Sequence, residues 1–215
     1  MDIRLATLAI IAINALVSIK GFNDSVFFDR YKFQVGPISS GQKDRMFTSG
    51  FLHVDVGHLF FNMFTLYFFA PVIIGHLGVL TFLIVYLISL VAGSLLSLLF
   101  HKNEPYYSAV GASGAVTGVL YAAILLQPDM RLGIMFIPIP LPAYVLGIGY
   151  MLYSIYGMRH QIGNIGHSAH FGGAVGGFLV TLLFAPQVFL RNPLIVLLMA
   201  VPILVLFVME RKRSR

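Results

Sequence analysis

The sequence predicts an all-α membrane protein. The expected architecture is a polytopic bundle of six transmembrane helices, with a C-terminal apolar run that is either a seventh span or a helix lying along the core. Three observations carry this. Only 10% of the 215 residues are charged and 58% are hydrophobic, with a mean hydropathy of +0.88, whereas a soluble domain sits nearer one quarter charged. Lys20, Lys102, Arg131, Arg159 and Arg191 flank apolar runs, the placement of membrane-edge residues. No charged residue falls inside those runs.

The elements follow in order. Leu5–Ile19, bounded by Arg4 and Lys20, is the first span; a signal-peptide reading is disfavoured because the n-region has a single Arg and no clear small-x-small cleavage site follows. Residues 21–57 form a long polar loop rich in Phe and Tyr, which suggests that part of it lies in the membrane interface. The second span runs from about Gly57 to Ile74. The turn Gly75-His-Leu-Gly78 leads into a third, Leu77 to Phe100. After the polar break His101–Pro105, a fourth span covers about Tyr106 to Leu126. Phe136–Pro142 holds three alternating prolines, which cannot lie in a helix interior and read as an extended or kinked lead-in to the fifth span, Ala143 to Tyr156. That lead-in makes the fifth span a candidate for mobility. A polar loop to Gly166 precedes the sixth span, His167 to Phe184. Beyond Pro186–Pro193, the run to Met209 has the minimum length for crossing a bilayer.

Composition excludes several functions. The net charge of +6 sits at span edges and in the tail Arg211–Arg215, so no nucleic-acid partner is expected; the lipid bilayer is. There is no cysteine, hence no disulfide, thiolate metal site or cysteine nucleophile. The acids lie at span edges, in tails or in loops, which argues against an aspartyl intramembrane protease or an ion-coupled transporter. A metal enzyme built on His53, His58, His167 and His170 would lack an H-E-x-x-H helix and nearby carboxylates, so no metal or cofactor is expected.

The polar residues inside the spans are therefore informative. Gly111-Ala-Ser-Gly114 strips bulk from around one hydroxyl, and taken alone it reads as a helix-packing motif. His58 and Asn62 lie four apart on one face of the second span, and His170 lies on the sixth. Even-numbered spans run in the same direction. Ser113 then lies ~12 Å along from Pro105, His170 ~9 Å from Asn164 and Asn62 ~10 Å from Asp55, with His58 shallower. Gly114 and Gly118 on the fourth span, with Gly173 and Gly177 on the sixth, form small-xxx-small pairs that would bring His170 towards Ser113. A neutral imidazole can take the proton of a serine nucleophile. The Asn62 amide, a His58 ring N–H and the Ser113 backbone N–H could stabilise an oxyanion. A Ser–His dyad can work without a carboxylate.

Four motifs occur together in order: Arg45-Met-Phe-Thr-Ser-Gly-Phe-Leu-His53, His58-Leu-Phe-Phe-Asn62-Met63, Gly111-Ala-Ser-Gly114, and Ala169-His170 with Gly173 and Gly177. In these the chain resembles the rhomboid family of intramembrane serine proteases, from the first to the sixth span. The resemblance implies one rhomboid-like membrane domain over residues 1–215, with a six-helix core at about 5–186 and the extra apolar helix at 193–209. It implies Ser113 as nucleophile, His170 as general base, and His58 and Asn62 at the oxyanion. It further implies transmembrane protein substrates with small, helix-weakening residues near the cut, a membrane-dipping first loop, a cytoplasmic N-terminus and a bacterial inner-membrane location. The alternative is a non-catalytic relative that binds transmembrane helices. Two positions depart from the family's habit. Asp44 stands where an aromatic often precedes the loop arginine, and Thr117 where an aromatic often supports the histidine ring.

Overall fold

The computed structural model describes residues 3–134, 137–160 and 166–213. The first run forms α1 (Ile3–Asn23), which extends the predicted span by two residues at its start and about one turn at its end. Asn14 and Ser18 lie four apart on its core face, both fully buried. The Asn14 amide donates to Ile10 O (2.9 Å) and reaches the Tyr86 hydroxyl at 3.2 Å, a polar tie between helices whose apolar faces gain little from leaving lipid.

The loop after α1 is more ordered than its composition predicts. It folds into α2 (Ser25–Tyr31), β1 (Phe33–Gln34), α3 (Val35–Ser39), α4 (Arg45–Thr48) and a 3₁₀ turn at Ser49–Phe51. Asp24 caps α2, its carboxylate accepting from the Phe27 N–H at 2.9 Å. Arg45 is buried and organises the segment: its guanidinium donates to Asp29 O (2.7 Å), Lys32 O (3.0 Å) and Gln42 Oε1 (2.7 Å). Asp44, in place of the aromatic, pairs with Arg30 at 2.8 Å, so the loop is seated without that ring.

Residues Val56–Phe100 form one 45-residue element, α5, interrupted only at Gly78 (φ 81°, ψ 168°). A straight helix of that length would extend ~67 Å, about twice the hydrocarbon thickness, so the break makes two arms of it. The expected turn over Gly75–Gly78 is thereby reduced to one residue, whose left-handed φ suits glycine. Both arms bury residues in the same core, Leu66, Ala70 and Ile73 from the first and Phe82, Val85 and Tyr86 from the second.

The fourth span departs from its predicted bounds. The chain descends from Tyr107 without forming helix. It passes through β2 (Ser108–Ala109), paired antiparallel with β1, and through Gly111 at φ 128°, and starts α6 only at Ser113 (Ser113–Leu126). Ser113 is therefore the first residue of its helix, not a residue two turns in. Left-handed backbone at Gly111 stops a helix from running through, and non-helical backbone at this depth is tolerated where it is enclosed by protein or lines a cleft.

Met130 leads into a ribbon of β3 (Arg131–Ile134) and β4 (Ile137–Pro142), with Arg131 opposite Pro142 and Leu132 opposite Leu141. Alternate backbone nitrogens of a strand face the same edge, so prolines at every second position sacrifice only one edge of β4. The extended lead-in is thus observed from Ile137; Phe136 lies outside the described residues. Then follow α7 (Ala143–His160), one turn longer than expected, α8 (His167–Phe184), α9 (Gln187–Arg191) and α10 (Pro193–Arg213). Of the expected 157–166 loop, 157–160 are helical and Gly166 stands at the N-cap of α8, while 161–165 lie outside the described residues. Helix α10 buries Val196, Met199 and Leu206 in a cluster shared with α7. Leucines and phenylalanines such as Leu16, Phe68 and Leu183 point outward, as lipid-facing residues do.

The second arm of α5, α6 and α8 pack backbone to backbone at the centre. A Cβ added at Gly173 would run into the Gly114 carbonyl, and one at Gly177 into the Gly118 carbonyl. Because the obstacle is backbone, neither side can yield cheaply. Gly173→Ala is expected to destabilise the bundle by about 1–3 kcal/mol or more, read as a lower melting temperature in detergent. Gly149→Ala, where a Cβ meets open space, should leave stability unchanged or slightly raised.

Candidate active site

This close packing brings α6 and α8 together at their N-terminal ends, where Ser113 begins α6 and His170 occupies the first turns of α8. The Ser113 Oγ lies 2.6 Å from His170 Nε2. A hydroxyl at that distance from a ring nitrogen can pass it a proton without rearrangement. The other imidazole nitrogen, Nδ1, lies 2.5 Å from the hydroxyl of Tyr150 on α7, and the two rings stack with centroids 5.9 Å apart at 29°. Thr117, one turn below Ser113, donates its hydroxyl back to Ser113 O at 2.7 Å. It sits beside the Tyr150 phenol, as does Ser154.

His58 and Asn62 reach the same place from the first arm of α5. Asp55 caps that helix, accepting from the His58 N–H at 2.7 Å. A Cβ built on Gly111 would lie 2.7 Å from His58 Cε1, 2.9 Å from its Nε2 and 3.6 Å from Ser113 Oγ, so the missing side chain is what lets imidazole and hydroxyl share the pocket. The Asn62 amide donates one N–H to His58 O (3.0 Å), which leaves a second to offer. All four predicted residues line one cleft of about 990 Å³, together with Gly111 and Tyr150. Ser113, as the first helical residue, has a backbone N–H with no partner within its own helix.

The loop carrying Ser113 is held by two bonds. Gly111 N–H donates to Ser49 O at 3.0 Å, and Ala112 N–H to His53 Nε2 at 3.4 Å. His53 is wholly buried, edge-on to His58 at 4.9 Å. Ser18 donates its one hydroxyl proton to Phe51 O (3.0 Å), so in its 2.8 Å contact with His53 Nδ1 the histidine must be the donor. That leaves Nε2 to accept from Ala112. The Ser18 and His53 pair thus spans α1, the first loop and the Ser113 loop.

Burial, with His58 as a neighbour, lowers the His53 pKa to about 3, against about 6.5 unfolded. The folded state resists a proton that the unfolded chain accepts. The stabilising contribution is therefore complete above about pH 6.5 and is lost progressively as pH falls towards 3. His53→Gln is expected to flatten this acid limb in a melting-temperature series from pH 7 to 4; an unchanged limb would place the acid sensitivity elsewhere.

The residues that sequence reading passed over are Tyr150, His53 as a loop anchor, and Asn14 with Ser18 on α1. Asn14 and Ser18 carried a usable signal, an i, i+4 polar pair in an apolar run. Tyr150 carried none, since a tyrosine in an apolar span reads as ordinary packing.

A helical membrane bundle that seats a serine hydroxyl against an imidazole at the floor of a cleft defines a narrow class of protein. Residues 40–187 match the Rhomboid domain family, and the chain belongs to it. It is 32% identical over 168 residues to RHOMBOID-like protein 12, mitochondrial, of Arabidopsis thaliana, covering 71% of this chain and 50% of that protein. It is 32% identical over 134 residues to Rhomboid protein 1, mitochondrial, of Saccharomyces cerevisiae (61% and 39%). It is 33% identical over 143 residues to the Rhomboid protease GluP of Bacillus subtilis (66% and 26%). The chain spans half or less of the length of these curated relatives.

Proposed function

We propose that this protein is an intramembrane serine endopeptidase, hydrolysing peptide bonds in or near transmembrane segments of other membrane proteins. The observation that supports the reading most is the 2.6 Å approach of Ser113 Oγ to His170 Nε2 inside a cleft that also holds His58 and Asn62. Ser113 Oγ attacks the scissile carbonyl carbon while its proton passes to His170 Nε2. The carbonyl oxygen becomes an oxyanion, and donors preorganised out of bulk water stabilise it. In this proposal those donors are the second Asn62 N–H, the His58 Nε2–H and the orphan Ser113 N–H. The imidazolium then gives its proton to the leaving amine, and the C–N bond breaks. Water, deprotonated by the same nitrogen, hydrolyses the acyl-enzyme and restores Ser113.

The presence of both Ser113 and His170, and of a relative named a protease, favours this over a non-catalytic helix-binding role. The relatives do not support the bacterial inner-membrane expectation: mitochondrial proteins stand beside a bacterial one, so the proposal is limited to an integral membrane location. The test is cleavage of a single-span substrate in proteoliposomes. Turnover is expected for the wild type and not for Ser113→Ala. Cleavage that persists in Ser113→Ala, or is abolished by a chelator, would contradict the proposal.

A further inference from the structure

Among the described residues nothing acidic orients the imidazole of the Ser113–His170 pair, and Thr117 stands where a supporting aromatic was expected. A neutral imidazole exists as two tautomers, and only the one protonated at Nδ1 leaves Nε2 free to take the Ser113 proton. The tautomer is set by whatever the Nδ1 side meets. Here it meets the Tyr150 hydroxyl, which can donate or accept.

The surrounding hydroxyls decide which. Thr117 has one proton and donates it to Ser113 O, so towards Tyr150 it presents only lone pairs. Ser154 Oγ, also beside the phenol, is buried with no hydrogen-bond partner among the described residues. The phenol thus has hydroxyl oxygens with free lone pairs beside it, so its proton can turn away from Nδ1 and its oxygen can accept from the ring. The donors then run in one sense: Ser113 O–H to His170 Nε2 and His170 Nδ1–H to the Tyr150 oxygen, with Thr117 O–H engaged on Ser113 O. Reversing the Tyr150–His170 bond would put the proton on Nε2 and leave Ser113 without a base.

We infer that Tyr150, on α7, is the positioning residue of this dyad: by accepting from Nδ1 and stacking on the ring it holds His170 in the tautomer and orientation that activate Ser113. Tyr150 takes no proton; the one from Ser113 stays on Nε2 until the amine leaves. This inference rests on the serine-peptidase reading above. The role of ring support is thus supplied by the fifth span's helix, with Thr117 reduced to a hydroxyl that bonds back to Ser113 O.

Tyr150→Phe keeps the ring and removes the oxygen. Its kcat on the reconstituted substrate is expected to fall about tenfold, with KM within about twofold and the melting temperature unchanged, because one hydrogen bond to a developing charge is lost and no packing is. Tyr150→Leu, which also loses the stack, should fall further. A readout independent of turnover is ¹⁵N-histidine NMR, with the His170 signals assigned by their loss in His170→Ala. The wild type is expected to show a protonated Nδ1 and an unprotonated Nε2, and Tyr150→Phe a mixture of tautomers. Wild-type kcat in Tyr150→Phe, a change confined to KM, or an unaltered His170 tautomer would overturn the inference while leaving Ser113-dependent cleavage intact. Absence of any Ser113-dependent cleavage in the wild type would overturn both.

Discussion

His170→Ala is expected to lower turnover of a reconstituted transmembrane substrate as far as Ser113→Ala does, by on the order of 10⁶-fold and effectively to background, with the double variant no worse than either. The reason is the geometry of a single proton path. In the proposed mechanism His170 Nε2, at 2.6 Å, is the base for the serine hydroxyl, so removing base or nucleophile disables the same step. Independent contributions would instead add, so that the double variant fell well below both singles. Folding can be checked separately, since neither alanine opens a cavity in the Gly114–Gly173 and Gly118–Gly177 contacts that hold α6 to α8.

The second large effect belongs to the donors around the developing oxyanion. Asn62→Ala is expected to lower kcat by about 10²–10³-fold with little change in KM, because the amide meets an oxyanion only in the transition state. His58→Ala should cost at least as much: in the proposal its ring supplies an N–H to the oxyanion, and it fills the space against Gly111. A loss confined to KM in either variant would mean that these side chains bind substrate rather than stabilise charge.

Much of the fold and of the candidate site's placement was legible in the sequence, for reasons specific to a bilayer. Where runs are apolar throughout, every polar residue stands out, and Ser113, His170, His58 and Asn62 were found that way. Their convergence followed from helix direction and rise, and their closeness from glycines four apart on two spans. Boundaries were less legible. Tyr107–Ala112 is apolar enough to pass for the start of a span, and only the left-handed Gly111, invisible in composition, ends the descent and begins the helix at Ser113. The first loop looked merely aromatic because its order depends on Arg45 collecting acceptors from residues 3–16 positions away. Tyr150 could not be assigned, because its role depends on how α7 packs against α8.

The central claim is that Ser113 is a nucleophile activated by His170. The most direct measurement is mass-spectrometric mapping of a fluorophosphonate adduct on detergent-solubilised protein. The account predicts a single adduct on Ser113, absent in both Ser113→Ala and His170→Ala. Equal labelling of the wild type and the two variants, or an adduct on another residue, would contradict it.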